Sequence, residues 1–382
     1  MVWQECAVVT ETRLEVDIEL QVPGFMLHLE FKLGRQLGVL FGRSGAGKSI
    51  SLRAIAGLIE PLRGSIQLNQ RTLFDQQSGI NLLPQERHIG YLPQNQALFP
   101  HQTIAQNIAY GLHKLSEAER SRRVKKWIDL MNLQDQAGKF PTEVSGGQQQ
   151  RAALARAMVV EPELLLMDEP FVALDESLRA LLRSEVRRVQ HETNTPILLV
   201  THDIGEAYQL ADHLIVIEHG QVIQAGGRDE VFRRPHNPSV ARLMGMTNLL
   251  VVTLTPEKTA SGLNRVLWGD QTLAIEIGES IPAGAELTIG IRPEDILFIR
   301  QDHPLDSDLE YNLMDVEIIE DRSQGFDHLI CTQVLDQPDM QLLVRIPHPV
   351  FLRMQLDIGD HRQISIRPPA VHWIQTQKPA SR

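Results

Sequence analysis

The sequence predicts an α/β core over about the first 240 residues and an all-β tail after it. Three observations carry this. An apolar run, Gly38-Val39-Leu40-Phe41, enters the loop Gly42-Arg43-Ser44-Gly45-Ala46-Gly47-Lys48-Ser49, and a helical pattern leaves it from Ile50 to Ala56. Strand-like and helix-like stretches then alternate, which favours a parallel sheet with its site at the strands' carboxyl ends. Beyond about residue 240 the texture changes to short strand-like runs separated by Gly, Pro and Asp.

The chain has 382 residues, too many for one ordinary core, and two domains are expected, 1–240 and 241–382. Hydrophobic residues are 42% and charged residues 22%, which is ordinary for a globular protein. A net charge of −11 argues against a large nucleic-acid footprint, so no nucleic-acid partner is expected. The basic run Arg120 to Lys126 reads as the solvated face of a helix. Two cysteines, Cys6 and Cys331, imply no disulfide framework. No apolar stretch approaches 18 residues and no leader is visible, so any membrane role must come through a partner. The histidines are scattered; His191-Glu192 has Thr195 where a zinc-protease helix needs a second histidine.

Taken in order, residues 10–34 alternate as two strands, Leu14–Val22 and Phe25–Phe31, turning at Pro23-Gly24. Gly57 is placed to end the helix after the loop. Gly64 to Asn69 is a short strand, and Gly90-Tyr-Leu-Pro-Gln94 is another that leaves through a loop at Gln94. From Thr103 to Met158 the pattern is largely helical. Leu164-Leu-Leu-Met-Asp-Glu169 is a buried strand ending in two acids, and Ile197-Leu-Leu-Val-Thr-His202 is one ending in a histidine. Leu214 to Gly226 is a hairpin turning at His219-Gly220. In the tail, Gly284 to Ile299 is echoed by Gly359 to Ile374 at an offset of 75, each with a central Ile-Arg-Pro, and Asn248-Leu-Leu is echoed by Asn312-Leu-Met. Two similar small barrels in tandem are expected.

The glycines of residues 42–49 let successive N–H groups turn around a phosphate, and the following helix adds its unpaired N–H groups and positive dipole end. Lys48 would reach the β- and γ-phosphates of a nucleotide, and the Ser49 hydroxyl would ligate Mg²⁺. Asp168 at a strand end is placed to hold the metal, with Glu169 polarising the attacking water. Ser145, Gly146, Gly147 and Gln148 open the helical run Gln149 to Val160 and form a second anion site, which makes sense if it serves another subunit's ATP. His202 would hydrogen-bond the γ-phosphate, and Gln94 would touch the metal or the water.

The set Gly42–Ser49, Gln94, Val144-Ser-Gly-Gly-Gln148, Asp168-Glu169, Ala173-Leu174-Asp175 and His202 resembles the ATP-binding-cassette ATPases, over roughly residues 10–240. The resemblance implies an α/β P-loop ABC ATPase domain with a helical subdomain at about 95–160. It implies two copies closing head to tail around two ATP, with Asp175 across the interface. Gln94 and Ala97-Leu-Phe-Pro-His101 would face integral-membrane permease subunits at the cytoplasmic side of the membrane. Within the family the chain is most similar to molybdate-importer ATPases, through Phe41–Ser49, Leu83–Tyr91, Leu98–His101 and the tail segments Leu356–Gly359 and Ile366–His372. The tail is similar to the OB-like oxyanion-binding barrels of molybdate proteins and to regulatory barrels of sulfate, sugar and polyamine importer ATPases. The implied function is an ATP-hydrolysing importer motor for molybdate or a related oxyanion, with an extracytoplasmic solute-binding protein as indirect partner. Sulfate, sugar, polyamine or iron import is the alternative within the class, and a nucleic-acid-associated cassette ATPase the alternative outside it. Phe25 is the ring nearest to stack on adenine, and Arg292 and Arg367 are the candidate oxyanion donors of the tail. Glu310-Tyr311-Asn312-Leu313 stands where molybdate barrels carry a Ser-Ala-Arg-Asn type of segment, and its acid is unfavourable to an anion.

Overall fold

The structure, a computed structural model, describes residues 13–22, 24–172, 174–277, 281–300 and 310–374. Cys6, Pro23 and Ala173 lie outside the described residues. The chain divides into two compact units, Met1–Arg228 and Asp229–Arg382.

In the first unit, β1 (Leu14–Val22) and β2 (Phe25–Leu33) pair as a hairpin in unbroken register. Leu14, Val16, Ile18, Leu20 and Val22 are buried at every second position of β1, the period a half-buried strand requires. Then come β3 (Leu37–Phe41), α1 (Lys48–Ile55), β4 (Arg63–Leu68), β5 (Arg71–Asp75), β6 (Ile80–Asn81) and β7 (Ile89–Leu92). Helices α2 (Ile104–Ala109), α3 (Glu117–Leu130) and α4 (Gly146–Met158) fill the stretch before β8 (Leu164–Asp168). The unit closes with α5 (Glu176–Thr193), β9 (Ile197–Thr201), α6 (Ile204–Leu210), β10 (His213–Glu218) and β11 (Gln221–Gly227).

One sheet runs β6-β5-β4-β1-β2-β11-β10-β3-β9-β8-β7. Strands β10, β3, β9, β8 and β7 are mutually parallel. Every residue of β3, β8 and β9 is buried, which is why they read as unbroken apolar runs rather than alternating ones. Parallel pairing brings the carboxyl ends of β3, β9, β8 and β7 side by side, the place where such sheets bind ligands.

Two helix starts differ from the sequence expectation. Helix α1 begins at Lys48 rather than Ile50, because Gly47 turns the chain at φ 104° directly before it. Helix α4 begins at Gly146 rather than Gln149. Ser145 Oγ accepts from Gln148 N–H, while Gln148 Oε1 accepts from Ser145 N–H, a reciprocal cap that carries both glycines into the first turn.

The second unit opens with α7 (Arg228–Arg233), whose first residue closes the first unit, and α8 (Pro238–Leu243). The division thus falls before residue 240. The physical reason is Arg292, whose guanidinium donates to Phe232 O and Met244 O and holds the chain around these helices to the β tail.

The tail strands are β12 (Asn248–Lys258), β13 (Asn264–Trp268), β14 (Gln271–Ile275), β15 (Glu286–Ile291), β16 (Ile296–Phe298), β17 (Met314–Ser323), β18 (Asp327–Val334), β19 (Gln341–Pro347), β20 (His361–Ile366) and β21 (Val371–Ile374), with α9 (His348–Met354) after β19. The tail is all-β apart from its short helices, as the sequence indicates, but the repeats do not close one barrel each. The sheets are β14-β13-β12-β15-β21 and β16-β20-β17-β18-β19. The last strand of each repeat crosses over: β16 pairs with β20, and β21 with β15. Arg292-Pro293 and Arg367-Pro368 mark the two crossings, where proline suits a strand's end. Residues of both sheets share one core, from Leu250 and Ile289 to Val344 and Ile364.

The asparagine echo has a structural meaning. Asn248 accepts from Leu343 N–H and donates to Leu343 O. Asn312 accepts from Ala274 N–H and donates to Ala274 O and Ile366 O. Each buried amide thus clasps backbone of the other sheet. Among the described residues no helix is long and apolar enough to cross a membrane.

Candidate nucleotide site

The loop between β3 and α1 is built by close approach. A Cβ on Gly42 would meet Ile217 O at 2.2 Å, and one on Gly47 would meet the Leu27 side chain at 2.7 Å. Gly47 also holds the left-handed conformation that other residues resist. Lys48 Nζ donates back to Gly42 O (2.8 Å) and Arg43 O (3.0 Å), so its charge lies along the loop. Burial pushes its pKa below the ordinary value, while Glu169 and then Asp168 oppose that fall.

Asp168, 3% exposed, ends β8. Its Oδ1 accepts from Ser49 Oγ at 2.7 Å and its Oδ2 lies 3.5 Å from Tyr91 OH. A serine hydroxyl beside a carboxylate is a set of hard oxygen donors suited to Mg²⁺, with the amide oxygen of Gln94 two residues beyond the neighbouring strand β7. Glu169 turns at φ 44°, out of the strand direction, while its N–H still bonds Val200 O. That turn sets Glu169 in the cavity over the loop, beside Lys48 and Ser49. His202 Nδ1 lies 3.2 Å from Glu169 Oε1.

The turn carrying His202 is itself pinned. Thr201 Oγ1 accepts from Asp203 N–H (3.0 Å) and donates to Glu206 Oε2 (2.6 Å). Burial pushes the Glu206 carboxyl up, and the Thr201 hydroxyl opposes this. A cavity of about 240 Å³ opens over the loop, lined by Val22, Phe25, Ser44, Lys48, Ser49 and Glu169 among others. Phe25 therefore borders the phosphate loop.

Residues 42–49, Asp168, Glu169 and His202 converge. Gln94 follows two residues after β7, the strand paired with β8, and does not line the cavity over the loop. Ser145, Gly146, Gly147, Gln148 and Asp175 do not line that cavity. Ser145 and Asp175 are the exposed N-caps of α4 and α5; Asp175 Oδ1 accepts from Leu178 N–H at 2.9 Å. Gly147 is fixed by packing, since a Cβ there would meet the Leu178 side chain at 2.5 Å.

Three contributors escape a reading of motifs. Tyr91 and Glu206 look like ordinary strand and helix polars in the sequence. Arg87 lies in a polar segment yet is fully buried: it donates to Leu82 O, Ala54 O, Ile55 O and Asn81 Oδ1. It thereby caps the carbonyl end of α1, whose other end carries Lys48 and Ser49. No local pattern distinguishes such an arginine from a surface one. Arg292 corrects an expectation in the other direction: with its donors on Phe232 O and Met244 O, it is a structural tie rather than an open anion donor.

Comparison with known proteins agrees with this geometry. A family model described as ABC transporter matches residues 26–172. The molybdate/tungstate import ATP-binding protein WtpC of Archaeoglobus fulgidus is 41% identical over 238 residues, covering 62% of this chain and 96% of that protein. The sulfate/thiosulfate import ATP-binding protein CysA 2 of Shewanella oneidensis is 35% identical over 352 residues, covering 89% and 92%. Relatives named for import of Fe(3+) ions and of spermidine and putrescine match to a similar degree. Among solved structures, cbiO1 from Clostridium perfringens, described as part of the ABC transporter complex cbiONQ, aligns with a TM-score of 0.53 at 26% identity, over 58% of this chain and 91% of that one. The chain belongs to the ABC transporter family, as an ATP-binding ATPase subunit of an importer.

Proposed function

We propose that the chain powers uptake of a tetrahedral oxyanion, molybdate or tungstate before sulfate, by closing with a second copy around two ATP. The observation that carries the motor half is the convergence of Lys48, Ser49, Asp168, Glu169 and His202 at the ends of neighbouring strands. Lys48 leaves its loop carbonyls for the β- and γ-phosphates. Ser49 and Asp168, with Gln94, would hold Mg²⁺, which when bound would supply charge neutralisation to the phosphates. Glu169 accepts a proton from the attacking water, and His202, oriented by Glu169, donates to the γ-phosphate.

The second copy supplies Ser145 to Gln148, whose helix start faces the γ-phosphate, and Asp175. Exposed caps absent from the chain's own phosphate cavity suit that arrangement. Permease subunits dock at a cavity of about 630 Å³ lined by His101, Ala105, Tyr110, Arg120 and Val124 among others, next to the loop after Gln94. Tyr110, 57% exposed, offers an apolar face there. On this reading the ATPase works at the cytoplasmic side of the membrane.

Relatives named for molybdate, tungstate and sulfate, together with the segments around Leu83 to His101, support this cargo, and relatives named for iron and polyamine import supply the competing reading. We read the tail as an interlocked pair of OB-like barrels that regulates the motor. Uptake in a strain lacking this gene, complemented by the chain with its own permease, tests the assignment. Molybdate, tungstate or sulfate uptake that needs Lys48 is expected. Uptake of iron, a sugar or a polyamine that ignores all three anions would overturn the cargo and leave the motor.

A further inference from the structure

The loop after Gln94 contains two consecutive non-glycine residues in the left-handed region, Gln96 (φ 58°) and Ala97 (φ 48°). Side chains with a Cβ resist that conformation, and two in succession persist only where surrounding groups hold them. Within the turn, Gln96 N–H bonds Pro93 O (3.0 Å) and Ala97 N–H bonds Asn95 O (2.6 Å). The outward carbonyls of both left-handed residues are taken by one side chain of α4. Arg156 Nη1 donates to Ala97 O at 2.7 Å, and Nη2 donates to Gln96 O at 2.8 Å. A planar guanidinium suits two adjacent acceptors in a way an ammonium does not. The same guanidinium lies 5.2 Å from the centre of the Phe99 ring, which in turn sits 4.4 Å from Tyr110.

We propose that Arg156 is a positioning residue, a latch that holds the left-handed Gln96–Ala97 turn to α4 and so fixes Gln94, two residues before that turn. Helix α4 begins at the Ser145 cap, so the latch joins the loop of Gln94 to the element that presents Ser145 and Gln148. Asn107 of α2 fixes the next stretch separately: it accepts from Phe99 N–H and donates to Phe99 O, Gln102 O and Thr103 O. Loss of Arg156 therefore frees residues 96 and 97 while leaving the loop anchored beyond them. The catalytic half of this inference rests on the role given to Gln94 above.

The test compares ATP turnover, ATP affinity and amide hydrogen exchange in the full chain and in Arg156→Met. Exchange at Gln96 and Ala97 should quicken at least tenfold, and kcat should fall about tenfold while the Kd for ATP stays within about twofold, as expected of lost positioning. Arg156→Lys should recover part of kcat. Ala97→Gly in the Arg156→Met background should recover at least threefold, since glycine adopts the left-handed turn unaided. Should Arg156→Met not fold, Ala97→Val at an exposed position carries the test: a β-branched residue there should lower kcat with the latch intact. Unchanged exchange, a kcat within twofold of wild type, or a loss that Ala97→Gly does not recover each overturns the latch. Gln94→Ala is measured beside them. Wild-type turnover in that variant overturns the reading of Gln94 and leaves exchange to decide whether Arg156 holds the turn.

Discussion

Replacing Arg87 by methionine should destabilise the first unit more than any exposed arginine replacement. The guanidinium is 0% exposed and satisfies four acceptors, Ala54 O, Ile55 O, Leu82 O and Asn81 Oδ1, at 2.9 to 3.1 Å. Methionine fills much of the same volume and donates nothing. Ala54 O and Ile55 O are buried and each costs about 1–3 kcal/mol when stripped of its donor, while Leu82 O and Asn81 Oδ1 lie nearer solvent and lose less. A net loss of about 3–5 kcal/mol follows, at the upper end of single-substitution effects. For a unit of this size each kcal/mol moves the midpoint by about 2–4 °C, so the first unit's thermal transition should drop by roughly 10 °C. Calorimetry of the full chain reads this directly. Gly57→Ala should move it in the same direction, because the added Cβ would stand 2.5 Å from Arg87 Nε at a φ of +81°. A drop below about 2 °C for Arg87→Met would refute the claim that these carbonyls depend on it.

Glu169→Gln should keep ATP binding and lower steady-state phosphate release by about 10²–10⁴-fold, as loss of a catalytic base does. Wild-type-like release would remove Glu169 from the chemistry. Glu206→Gln tests the buried carboxyl behind His202. Its folded pKa lies above the ordinary 4.5, so the folded chain keeps a proton that the unfolded chain has lost. The stability it contributes is therefore complete below about 4.5 and lost as pH rises through the raised value. Urea unfolding should show wild type losing stability relative to Glu206→Gln as pH rises from 4.5, with a constant difference below. A difference independent of pH would contradict the raised carboxyl.

What the sequence made legible was local. The phosphate loop, the strand ends bearing Asp168 and His202, and the glycine pair after Ser145 are each set by a few neighbouring residues. Glycine spacing and apolar runs encode them without reference to the rest of the chain. The buried β3, β8 and β9 were visible for the same reason. Crossing of the tail strands was not, because β16 and β21 have the same pattern whichever sheet they join; only long-range pairing decides it. Arg87, Arg156 and Arg292 were hidden by chemistry rather than distance. A long cation reads as solvent-facing, and its real partners are backbone carbonyls, which leave no mark in the sequence. Asn248 and Asn312 were noticed as an echo, yet their role as clasps depends on which backbone lies opposite.

In the two-copy arrangement proposed above, each catalytic site takes its phosphate loop from one chain and its Ser145 helix start from another. Mixing Lys48→Ala chains with Ser145→Arg chains tests it most directly, because a mixed pair retains one wholly intact site: the second chain's loop facing the first chain's cap. Each variant alone should be close to inactive. An equal mixture forms about half mixed pairs, each with one good site of two, so turnover should return to about a quarter of the wild-type rate per chain. A mixture that stays at the sum of its two inactive parts, under conditions where the chains exchange partners, would contradict a shared site.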